Sequence, residues 1–158
     1  MLSRYFYSKI LLILAFGFLN VGLVSAQTDD LSGVWVTSIT DITKTTKQME
    51  MTFDNGNFEV KLDDVFFSKG TYSAAGGKYT TQATSFYGTS FQLNSRWYSQ
   101  EQLRSALKSS FLKIMEADRF NAIIDSMFVS RTGAYTIKGN TLTMKNDGEK
   151  DALTYTKK

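Results

Sequence analysis

Three short stretches carry the residue types that chemistry needs. Asp63-Asp64 is an adjacent acid pair ahead of Val65-Phe66-Phe67, and Asn146-Asp147-Gly148-Glu149 holds a fragment of a calcium-loop pattern. Ser130-Arg131-Thr132-Gly133 has the composition of an anion-binding or capping turn. Acid–base catalysis needs two carboxylates set apart on facing elements, and a calcium loop needs alternating oxygen ligands. Neither acidic stretch provides this, and both read as turns between strands. Nothing else in the sequence converges on Arg131. The chain has no His and no Cys. That removes the usual ligands of zinc, copper, haem and iron–sulfur centres, and every Ser-His-Asp or Cys-His arrangement. No catalytic residue, metal site or cofactor is expected, and the protein is not expected to be an enzyme.

What remains is an unusual supply of aromatic and sulfur-bearing side chains. Phe and Tyr number 12 and 8, with six Met and two Trp. They recur at period two. Met49, Met51 and Phe53 alternate with Gln48, Glu50 and Thr52, and Phe58, Val60 and Leu62 alternate with Glu59 and Lys61. Between them Asp54-Asn55-Gly56-Asn57 supplies residues that tolerate positive φ in a tight turn. Such alternation describes strands with one apolar and one wet face.

Further strands are expected at Leu31–Ile39, Val65–Ala74, Lys78–Phe86 and Ser90–Trp97, then near Val129–Ile137, Thr141–Lys145 and Ala152–Thr156. About nine short strands joined by short turns are best accommodated by an antiparallel up-and-down β-barrel of eight or nine strands, which leaves no exposed edge. One segment departs from the pattern. Ser99 with Gln102 three residues on reads as a capping box. Leu103, Ala106, Leu107, Phe111, Ile114 and Ala117 then share a helical stripe, continued on a rotated face by Phe120, Ile123, Ile124 and Met127. A bent helix or two short helices are expected over about 99–127, inserted between strands. The insertion either plugs an open barrel end or forms a lid over a ligand.

Gly70-Thr71-Tyr72-Ser73-Ala74-Ala75-Gly76 and Gly133-Ala134-Tyr135-Thr136-Ile137-Lys138-Gly139 share Gly-x-Tyr-x-x-x-Gly. The repeat reads as one strand-and-turn unit used twice.

Residues 1–26 have the order of a cleavable secretory signal. Arg4 and Lys9 precede an apolar run from Ile10 to Leu23, and Val24-Ser25-Ala26 places small residues at −3 and −1 before Gln27. The run is shorter than the roughly 20 residues that span a bilayer, so no stable membrane anchor is expected after cleavage. Residues 27–158 suit one domain. The formal net charge of +3 falls to about +1 once Arg4 and Lys9 leave, which gives no footprint for nucleic acid. An exported, cysteine-free chain must rely on packing and suits a bacterial envelope, periplasmic or secreted.

Gly33 and Trp35 fall on one face of the first strand. An N-terminal Gly-x-Trp ahead of a β-meander resembles the lipocalins and the wider calycin group, in particular the lipocalin-like domains of exported bacterial proteins. The resemblance implies that Gly33 and Trp35 are structural and close one barrel end. The last strand offers Lys157 and Lys158, and no arginine, to stack on Trp35. The function expected on this reading is non-catalytic binding of a small apolar molecule. Alternation nominates Met49, Met51, Phe58, Tyr72, Tyr79, Phe91 and Tyr135 as the lining. The alternative is a filled barrel serving as a protein-interaction or enzyme-inhibitor module, anchored by aromatics around Trp97-Tyr98.

Overall fold

The computed structural model describes residues 30–40 and 44–158. The expected export signal, residues 1–26, lies outside the described residues. Strands β1 (Gly33–Thr40), β2 (Thr46–Asp54), β3 (Asn57–Leu62), β4 (Val65–Ala75) and β5 (Lys78–Tyr87) form an antiparallel meander. A 3-10 turn (Gly88–Phe91), the two-residue strand β6 (Trp97–Tyr98) and helices α1 (Gln100–Phe111) and α2 (Ala117–Phe128) follow. The chain then completes β7 (Arg131–Lys138), β8 (Thr141–Asn146) and β9 (Leu153–Lys157). Ladders β5–β7 and β1–β9 close eight strands into an antiparallel barrel, with β6 added to the far half of β5.

One expected strand is corrected. Ser90–Trp97 is mostly turn, and only Trp97 and Tyr98 pair with β5, opposite Tyr87 and Phe86. Phe91 instead buries its ring 6.1 Å from that of Phe86. The backbone folds back on itself, with Leu93 N–H donating to Gly88 O and Gly88 N–H to Arg96 O, each at 2.9 Å. Burial of one aromatic ring thus overrides local strand preference.

The barrel is solid at one end. Trp35, Phe53, Tyr135, Leu31 and Leu142 are among the largest fully buried side chains of the molecule. Trp35 donates its indole N–H to Leu31 O at 2.9 Å, so the ring is buried with its polar atom satisfied. Gly33, at φ +129°, adopts a backbone conformation that few other residues accept, and the Lys157 stem lies where its Cβ would point. The two copies of Gly-x-Tyr-x-x-x-Gly occupy β4 and β7 and the turns that end them. Gly133 is required by close approach: a Cβ there would stand 2.2 Å from Lys145 O and 2.7 Å from the Tyr79 hydroxyl.

The other end carries the inserted helices. Ser99 and Gln102 form the expected capping box at the start of α1. Leu103, Leu107 and Phe111 of α1 and Phe120, Ile124, Met127 and Phe128 of α2 are buried in one core with the barrel. Phe128 meets Phe86 edge-on at 5.0 Å, and Phe86 meets Phe67 at 5.4 Å. This aromatic chain continues the barrel core into the helices. Gln82 of β5 also donates its side-chain amide to Phe128 O, fixing the end of α2 on the barrel.

Candidate functional site

Between the solid end and the helices the barrel is hollow. The cavity has a volume of about 520 Å³, within the range of small-molecule sites. Its walls are mainly apolar: Met49 and Met51 on β2, Phe58 and Val60 on β3, Phe67 on β4 and Ala83 on β5. Phe91 reaches it from the 3-10 turn and Met127 from the end of α2, so the inserted segment contributes to one wall through α2. Val65 and Val129, also in the wall, are 48% and 54% exposed. These two valines mark where the cavity meets solvent. Lys47 and Asp63 stand at the same rim, 3.6 Å apart, and Asp63 also accepts the Gln48 N–H at 2.9 Å.

The seven nominated lining residues separate into two groups. Met49, Met51, Phe58, Tyr79 and Phe91 come together around the cavity. Tyr72 and Tyr135 do not line it. Tyr72 packs its ring 4.8 Å from Phe53. Tyr135 is buried among the large side chains of the barrel core. Alternation reports which face a residue takes; it does not report how far along the barrel axis the residue lies. Gly33 and Trp35 lie in the solid end, away from the cavity.

One wall is polar. The Tyr79 hydroxyl donates to Asn146 Oδ1 at 2.5 Å, and Asn146 Nδ2 donates to Glu149 Oε2 at 2.9 Å. Burial raises the Tyr79 phenol well above its ordinary value; Glu149 and Asp147 reinforce this and Arg131 opposes it. Tyr79 is therefore a neutral donor at physiological pH. Arg131 and Asp151 complete this wall. Asp151, in the turn between β8 and β9, is only 3% exposed, and neither carboxylate oxygen has a hydrogen-bond partner among the described residues. Burial pushes its carboxyl above the usual range, while Lys145 and Lys150 pull the other way.

No periodicity in the sequence marks Asp151, which is one acid among several polar residues after β8. Arg131 stands in a stretch with the composition of an anion-binding turn, but its neighbours Tyr79, Asn146 and Glu149 are brought to it only by barrel closure. Among the described residues no three acidic side chains gather closely enough to hold a metal ion.

Outside the barrel a second aromatic group forms. Phe66, Tyr87 and Trp97 pack with ring centroids 5.1–5.7 Å apart, with Lys61 over Phe66 and Lys69 over Trp97. Comparisons with protein-family models, curated proteins and solved structures return no match.

Proposed function

We propose that this protein is an exported, non-catalytic binder of a small, largely apolar molecule, held in the barrel beside the end of α2. The observation that carries the reading is the hollow half of the barrel: about 520 Å³, walled by Met, Phe and Val side chains and reached past two exposed valines. Methionines suit such a wall because their flexible thioethers adapt to irregular apolar shapes. The resemblance to calycin barrels supports the same reading, as does the order of residues 1–26. The test is titration with diphenylhexatriene, an uncharged hydrocarbon that fluoresces when removed from water. Binding at micromolar strength, about 8 kcal/mol, is expected. Absence of any fluorescence rise at high micromolar protein would reject the cavity as a binding site. Mass spectrometry of the exported protein should find its N-terminus at Gln27.

A second reading, a protein-docking module, is favoured by the outer Phe66–Tyr87–Trp97 group with its two lysines. It becomes the leading one only if the cavity takes no apolar probe.

A further inference from the structure

The polar wall of the cavity carries information about the ligand that the apolar walls do not. Buried polar groups in folded proteins are almost always hydrogen-bonded, since a carboxylate removed from water without a partner is costly. Tyr79, Asn146 and Glu149 satisfy one another in a chain of hydrogen bonds. Lys47 and Asp63 offset each other at the rim. Among the cavity-lining charges this leaves Arg131 against Glu149 and Asp151, an excess of one negative charge, while Lys145 and Lys150 act on Asp151 from outside the wall. Among the described residues Asp151 alone combines low exposure, a place in the cavity wall and two unpartnered oxygens.

We propose that the Asp151 carboxylate is the anchor for a cationic amine on an otherwise apolar ligand, whose hydrocarbon part lies against Met49, Met51 and Phe58. This rests on the cavity being a binding site, and it names the class of molecule the site takes. An ammonium supplies both the donors and the charge that Asp151 lacks, and a charge-assisted hydrogen bond is roughly twice as strong as a neutral one. The apolar walls select a ligand with a chain or ring system behind the amine. A fatty acid would place its carboxylate beside Asp151 and Glu149 and be repelled.

The test is competition against bound diphenylhexatriene by three ligands of equal chain length: decylamine, decanol and decanoate. The wild-type protein should bind decylamine at least about tenfold more tightly than the other two, the difference one charge-assisted hydrogen bond supplies. Asp151→Asn should lose that preference, so that decylamine and decanol compete with equal strength. The wild-type ranking needs no variant to fold. Equal competition by all three ligands would overturn the amine assignment and leave the cavity reading intact. So would a preference for decanoate that Arg131→Gln removes and Asp151→Asn does not. Failure of diphenylhexatriene itself to bind would overturn the cavity reading and the amine assignment with it.

Discussion

The ammonium group of Lys157 stands 5.3 Å from the centroid of the Trp35 ring, across the ladder that joins the last strand to the first. Gly33 makes room for the lysine stem, Trp35 supplies the ring face, and the indole N–H is held by Leu31 O. The lysine takes the place over the ring where an arginine would also stack, through a weaker point-charge contact.

Trp35→Ala should therefore cost about 3–5 kcal/mol, because it empties the solid end of the barrel and strands the Leu31 carbonyl. Lys157→Ala should cost no more than about 1 kcal/mol, since the lysine is exposed. Gly33→Ala should cost about 1–3 kcal/mol, and as much in a Lys157→Ala background. The lysine end is flexible and can move, whereas the backbone at φ +129° cannot relax. Urea unfolding of the four variants checks all three values; a Gly33→Ala cost that vanishes without Lys157 would place the strain in the side-chain clash instead.

Adjacent positions on α1 should behave very differently. Leu103 is fully buried in the shared core, so Leu103→Ala should lose about 2–5 kcal/mol. Arg104 bridges Asn121 at 2.8 Å and Asp125 at 2.6 Å on α2, but in a largely solvated setting. Arg104→Ala should cost less than about 1 kcal/mol, with the cost falling as salt is added. Denaturant midpoints at low and high ionic strength distinguish them.

Ala83 faces the cavity from β5. Ala83→Phe places a ring into open volume, so the usual overpacking penalty of about 1–3 kcal/mol should be largely absent. Diphenylhexatriene affinity should drop at least about tenfold while the thermal midpoint holds or rises. A lowered midpoint with unchanged affinity would show that the side chain does not enter the cavity.

Asp151 should leave a signature in the pH dependence of stability. Its carboxyl is raised in the folded protein, first by burial, so the folded state binds the proton more tightly than the unfolded chain. The stability this contributes is fully present below the ordinary aspartate range and is lost as pH rises through the folded value. Asp151→Asn removes the titration. The variant should be more stable than wild type at neutral pH, and its advantage should shrink as pH falls towards 4. Taking the difference between the two proteins cancels the other carboxylates.

Much of the architecture was legible because the barrel is built from strands whose two faces differ. Met49, Met51, Phe58 and Tyr79 announce their inward direction by alternation alone, and Ser99–Gln102 announces where the helices begin. The break at Leu112–Glu116 resolves the rotated apolar stripe into two helices rather than a bend. Tyr72 and Tyr135 share that inward direction yet sit among the packed rings, since depth along the axis depends on strand stagger that no local pattern encodes. Phe91 reaches the cavity from a turn instead of a strand. Asp151 gains its meaning from what is missing around it, which only the assembled barrel reveals.

The way the barrel closes also bears on how it forms. Most ladders join strands that are neighbours in sequence and can zip from their own turns. Two do not. The β1–β9 ladder sets Trp35 opposite Lys157 and Val36 opposite Thr156, and β5–β7 spans the whole helical insertion. The entropy of closing long loops is thus concentrated at these two seams. Two meanders can grow quickly from local contacts, but they become a barrel only when the seams meet, so the slow step of folding belongs there. Docking of α1 on α2 before that moment would shorten the effective loop across the β5–β7 seam. The segment that lends Met127 to the finished cavity would then also hasten the closure that creates it.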